Sequence, residues 1–281
     1  FSRGYIDAVT LPDLPIISKF RDLFAREAVA KGKNDRSSKS IDRRIKATLS
    51  ETAEPVFTVA ASLRTAGMVA RRVSVARSGG ATALLILSGG GLLRRIAGVV
   101  KLGWLLPQNS FRILRMIRKV FPDQPLWAVE NPVLPDPAAR AKRMQRKVEA
   151  GAQVILTQPP FLWGRFEHWL TEVRELGMTT PIICGVPIIT SSLAFRTWLF
   201  LVGLTSTHGE TEHLLARLRK AELRGVGAEE GINYTVEMLK RLQLTPGVSG
   251  VHMMPIFAWR RLEKVLGAAG LSPADRLEED A

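Results

Sequence analysis

KVEAGAQVILTQPPF, Lys147 to Phe161, is the stretch from which the rest of the chain can be read. Its first residues end a helix predicted over Ala138 to Ala150, which Gly151 closes. Val154 to Thr157 follows as a run of apolar and β-branched residues. The run is too short for a helix and lacks polar alternation, the pattern of a strand covered on both faces. Gln158 and the prolines at 159 and 160 end it, and a new helix is predicted from Trp163 to Leu176, closed by Gly177. Helix, glycine, short buried strand, helix is one step of a parallel β/α winding.

The same step recurs in both directions. Upstream, strands are predicted at Tyr5 to Thr10, Glu54 to Ala60, Ala83 to Leu87 and Leu126 to Val129. Helices separate them at Ile16 to Lys31, Ile41 to Leu49, Thr65 to Arg77 and Ser110 to Val120, the last with Ser110 as its N-cap. Downstream come a strand at Pro181 to Cys184, helices at Ser191 to Val202 and Glu229 to Leu242, a strand at Val248 to Met253 and a closing helix at Trp259 to Leu266. No G-x-G-x-x-G follows the first strand, and the units repeat too often for a dinucleotide-binding half. The pattern fits a (β/α)8 TIM-type barrel with seven strands visible and the first missing or altered. One domain over 1–272 and an acidic tail over 273–281 complete the expected organisation.

Composition narrows the classes. The 281 residues are 46% hydrophobic and 23% charged, which excludes disordered and disulfide-scaffold proteins. Cys184 stands alone, so neither an intramolecular disulfide nor a multi-cysteine metal site can form. The four histidines lack ligand spacing apart from the neighbouring His208 and His213, and no metal is expected. No apolar run reaches the length of a membrane span. The net charge of +14 asks for an anionic neighbour: RNA, an anionic membrane surface or an acidic protein. Arg112, Arg115 and Arg118 share one side of a predicted helix, and Arg140, Arg143 and Lys147 share one side of the next. Those faces read either as solvated surface or as phosphate contacts. Leu92 to Pro107 (LLRRIAGVVKLGWLLP) reads as a core helix, a partner-binding segment or a membrane-surface helix, and Trp198 to Val202 packs on the barrel or faces a neighbour.

In a barrel of this type, chemistry gathers where the strands end. The residues there include Ala60, Ser88, the glycines 89 to 91, Asn131, Gln158, Gly185 and His252, with Glu130 close by. They offer no lysine, no cysteine nucleophile and no carboxylate pair, so acid–base catalysis has almost no candidate. The three glycines could cradle a phosphate through their backbone N–H groups, or simply form a turn.

Four motifs in order resemble the methylenetetrahydrofolate reductase family. They are KVEAGAQVILTQPPF (147–161), PIICGVPIIT (181–190), PGVSGVHMMP (246–255) and the proline-rich NPVLPDP (131–137). The resemblance runs from Val56 to Leu266 and implies a flavin-bearing (β/α)8 barrel that reduces a folate-bound methylene group with NAD(P)H. It also makes Thr58, Ser88, Gly89 and Lys147 the candidate cofactor contacts, and Gln158 the residue that an active enzyme would use on folate.

The departures from the family pattern fall on its site. Its L-x-G-D strand end becomes Leu87-Ser88-Gly89-Gly90, with Gly90 in place of the carboxylate. Its H-L-T becomes Thr58-Val59-Ala60, a helix aspartate for the ribityl chain becomes Arg140, and the acidic first-strand motif is absent. Lys147 and Gln158 remain. Each charged hydrogen-bond partner lost at a cofactor costs about 1.5–3 kcal/mol. The sequence therefore leads to a pseudoenzyme that holds no cofactor, a subunit of a large mitochondrial assembly such as a respiratory complex or ribosome, its leader removed. The alternative is a divergent active reductase using FAD and NAD(P)H.

Overall fold

The computed structural model describes residues 8–11, 54–60, 66–87, 109–204, 209–256 and 258–271. The helices expected over Ile16 to Lys31 and Ile41 to Leu49, the triple glycine, and Leu92 to Pro107 lie outside these residues.

Seven strands make one parallel sheet: β1 (Ala8–Leu11), β2 (Glu54–Ala60), β3 (Ala83–Leu87), β4 (Leu126–Glu130), β5 (Val154–Thr157), β6 (Ile182–Pro187) and β7 (Gly250–Met254). Their order in the sheet is their order in the chain. The helices are α1 (Ala66–Ser78), α2 (Ser110–Val120), α3 (Pro137–Glu149), α4 (Trp163–Glu175), α5 (Ser192–Val202), α6 (Gly209–Leu223), α7 (Gly227–Gln243) and α8 (Leu262–Ala268), with a 3-10 turn, Trp259–Arg261, before the last.

Strand order carries the architecture. When every parallel crossover is right-handed and every step goes to the next strand, the helices fall on one face of the sheet. Burial agrees. Leu84, Ile86, Leu126, Ala128, Ile155, Ile182, Cys184 and Val186 alternate onto the helix face and join the main core with Val69, Ile113, Met144 and Trp169. The intervening residues Val56, Ala83, Leu85 and Leu156 form a separate cluster on the inner face, backed by Leu87, Trp127, Val129 and Ile183. A sheet with helices outside and its own apolar layer inside is the arrangement of a TIM-type barrel. The fold is a partial barrel: among the described residues there are seven strands, and no pairing of β7 with β1 closes a ring.

Several details differ from the sequence reading. β4 runs one residue further, to Glu130, and β6 extends to Pro187. The N-cap of α2 is Asn109, whose side chain accepts the Arg112 N–H at 2.8 Å, so Ser110 is the first helical residue. α6 was not anticipated. Its inward residues Leu214, Leu215, Leu218 and Ala221 stand at helical spacing. Trp198, Leu199 and Val202 are buried in the main core, Leu201 packs against it partly buried, and Phe200 is the exposed member of that segment.

Candidate functional site at the strand ends

Alternation along β4 puts Glu130 on the helix face, after Leu126 and Ala128. Lys147, in the last turn of α3, reaches back to meet it. The Lys147 Nζ donates to Glu130 Oε2 at 2.5 Å and to the Val129 carbonyl, and both charged side chains are 2% exposed. The second carboxylate oxygen, Oε1, accepts the Asn131 N–H at 3.0 Å, and Arg143 Nε lies 3.7 Å from Oε2. Asn131 extends the network, donating from Nδ2 to the Val202 carbonyl at 2.7 Å and accepting the Val133 N–H at 3.3 Å. Burial pulls the Lys147 pKa down against the opposing pull of Glu130. A buried ion pair is tolerable only when its hydrogen bonds are filled, and here both partners are multiply bonded.

The proline-rich turn after β4 is built to aim α3 at this point. Asp136 takes a left-handed backbone, φ 65°, and its carboxylate caps the helix by accepting the Ala139 N–H at 2.9 Å. Pro137 then occupies the first turn, where no N–H is needed. Arg165 of α4 holds the same turn through the Val133 carbonyl at 3.0 Å.

The inner face has a different character. Thr58 faces inward from β2 and is buried, and Gln158 follows β5 in the inward position. The Gln158 N–H is fixed by the Glu130 carbonyl at 2.9 Å. On β7, His252 and Met254 alternate inward, His252 in register with Gly185. A Cβ on Gly185 would lie 2.5 Å from Met254 Cε and 2.7 Å from the Thr157 carbonyl, so only glycine leaves room for that methionine. Desolvation brings the His252 pKa down to about 4, which keeps the imidazole neutral at physiological pH. On the helix face of β6, burial raises the Cys184 thiol to about 12, beside the Thr157 hydroxyl. That thiol is inert as a nucleophile.

The loop after β6 is clamped by α7. Gly231 lets the helix approach so closely that a Cβ would sit 2.5 Å from the Ile189 carbonyl oxygen. The Thr235 hydroxyl accepts the Ile189 N–H at 3.1 Å and donates to the Gly231 carbonyl at 3.0 Å.

The residues nominated from sequence therefore divide. Thr58 and Gln158 share the inner face, Lys147 lies on the opposite side of the sheet, and Ser88 and Gly89 lie outside the described residues. Lys147 was read as part of an outer basic face with Arg140 and Arg143. It is instead buried, and Arg143 leans to the same carboxylate. Arg118 also leaves its assigned face: it donates to the Pro122 carbonyl and, at 2.7 Å, to that of Gly151. Sequence reasoning noted Glu130 beside a strand end but gave it neither a role nor a partner. A carboxylate closing an otherwise apolar strand, followed by a helix with a lysine among its inward positions, was the available signal. Among the described residues no three His, Cys, Asp or Glu side chains gather to hold a metal, and no helix is long and apolar enough to cross a membrane.

Comparison with known proteins places this arrangement. Over 110 residues the chain is 27% identical to methylenetetrahydrofolate reductase (NADH) 1 of Zea mays, a match covering 39% of this chain and 18% of that protein. The chain thus spans less than a fifth of that relative's length. Among solved structures, an aldolase termed QR15 aligns over 79% of this chain and 97% of its own at 14% identity, with a TM-score of 0.38. The sequence profile of methylenetetrahydrofolate reductase matches residues 120–270, from the end of α2 through the Glu130–Lys147 pair and the clamped loop to α8. That is more than half of the 281 residues, and the chain belongs to the methylenetetrahydrofolate reductase family.

Proposed function

We propose that this chain is a degenerate member of its family, a non-catalytic structural subunit of a large mitochondrial assembly such as a respiratory complex or ribosome. The observation that carries the reading is the position of Lys147. It is one of two family residues that survive at the candidate site, and its ammonium is enclosed between Glu130 and the Val129 carbonyl, on the far side of the sheet from Gln158. A cation held there stabilises the β4–α3 junction and offers nothing to a cofactor phosphate.

The rest of the described site fits a flavin poorly. Thr58 is buried on β2, Arg140 stands where the family carries a ribityl-binding carboxylate, and the inner strand ends offer His252 as their titratable group, held neutral. The charge of +14 supports attachment to an anionic neighbour within the assembly.

Fractionation of native material with mass spectrometry of each fraction tests the reading. The expected result is co-migration with a megadalton particle and a purified subunit without yellow colour. A free protein that carries stoichiometric flavin and oxidises NAD(P)H in the presence of a folate substrate would establish the reductase instead.

A further inference from the structure

Among the described residues the excess positive charge is concentrated in one sector. Helices α1, α2 and α3 together carry twelve lysines and arginines, eleven besides the buried Lys147, and a single carboxylate, Glu149. Helices α4 to α7 carry eight cations against nine glutamates. Surface charge without a task tends to mix signs, as it does on α4 to α7, where Arg217 pairs with Glu230 and Arg241 with Glu167. Three consecutive helices with almost no acidic residue are a single-sign field of the kind that steers a polyanion.

The sector is continuous. α1 packs on α2 and α2 on α3. Its cations cross both seams: the Arg77 guanidinium stacks over Phe121, 4.4 Å from the ring centroid, and Arg146 of α3 stacks over Phe111 of α2 at 4.6 Å. Each seam thus holds a guanidinium on an aromatic shelf, which lowers the entropy cost of using it in a contact. Between and beside them Arg71, Arg112, Arg115, Lys119 and Lys142 are exposed. The inward residues of the same helices, Val69, Val73, Ile113, Ile117 and Met144, are spent in the core.

We infer that the outer face of α1–α3 binds the phosphate backbone of a double-stranded nucleic acid. Arginine outnumbers lysine on this face, and the planar guanidinium meets phosphate oxygens two at a time. Phe111 and Phe121 lie beneath guanidiniums, so they are not free as platforms for unstacked bases, and single-strand recognition lacks its usual partner. Contact is therefore to backbone, without base readout. Arg71, Arg112, Arg115, Lys119 and Lys142 lie outside the Glu130–Lys147 network, so the face they form is independent of whether the strand ends catalyse.

Fluorescence anisotropy with a labelled RNA duplex and a DNA duplex of the same sequence, over a salt series, tests this with the full chain. Binding should weaken by about 0.9 log units per phosphate contact for each decade of salt. Arg112→Glu with Arg115→Glu should reduce affinity tenfold or more and flatten the salt slope. Arg219→Glu with Lys220→Glu on α6 makes the same change in net charge and should alter affinity less than twofold. Arg71→Glu with Lys142→Glu samples the same face from α1 and α3, should the first pair fail to fold by circular dichroism. Preference between the two duplexes identifies the source of the phosphates. Equal losses from the α2 and α6 swaps, absence of duplex binding at low salt, or binding to phosphatidylserine vesicles in place of either duplex would overturn the assignment.

Discussion

Lys147 and Glu130 are worth more as a pair than as individuals. Lys147→Met would leave a carboxylate buried with a backbone N–H and a distant guanidinium, and should destabilise the fold by about 3–5 kcal/mol. Replacing both, Glu130→Leu with Lys147→Met, removes both charges and should cost less than the single change. Urea midpoints of the three proteins measure this. His252 gives a pH dependence of definite sign. Its folded pKa of about 4 lies below the ordinary 6.5, so between those values the unfolded chain takes up a proton that the folded one refuses. Stability contributed here is complete above about pH 6.5 and is lost as pH falls towards 4, by about 2–3 kcal/mol. Urea unfolding at pH 7 and pH 4.5 should show a steeper loss for wild type than for His252→Gln. The sequence made Lys147 visible as a matched position, but not its direction. A helix wheel places a lysine on a face; only the carboxylate 17 residues upstream turns that face inward.

At the level of elements, α7 and the loop after β6 act as one unit. Thr235→Val should leave the Ile189 N–H buried without its acceptor and cost about 1–3 kcal/mol, whereas Thr235→Ser should be close to wild type. Gly231→Ala should cost a similar amount by pushing the helix off the loop, read as a fall in thermal midpoint. Strands were easy to read because each is a short apolar run between glycine or proline signals, as at Ala83–Leu87 and Val154–Thr157. Helix ends were harder. Ser110 looked like a cap because serine is a good one, yet Asn109 precedes it and is as good. α6 starts at Gly209 and carries a narrow apolar stripe among six charged residues, so it offered no broad apolar face.

For the whole molecule, the sequence revealed the parallel winding and the family, because both depend on segment order. It did not reveal where the charge sits. A net value of +14 says nothing of its distribution until the helices are placed, and among the described residues the excess lies on α1–α3. The function proposed here leads to a spectroscopic expectation as well. The purified chain should lack a flavin band, and Gly90→Asp alone should not create folate-dependent NADH oxidation, since Thr58 and Arg140 would still stand at two further partner positions. Appearance of that activity from the single change would mean that the strand ends remain a working site.

The sheet also has a consequence for how the protein comes into being. Among the described residues every strand pairing joins neighbours in the chain, from β1 with β2 to β6 with β7. As the ribosome emits each β/α unit, the edge it must join is already outside the exit tunnel, and none of the seven described strands waits for one made much later. Growth can follow synthesis from the amino end, with each new strand laid on the last. The arginine-rich helices would emerge before the acidic ones. Nascent chains stalled after α4 should therefore already protect the amides of β3 and β4 from hydrogen exchange, while chains stalled before α2 should not.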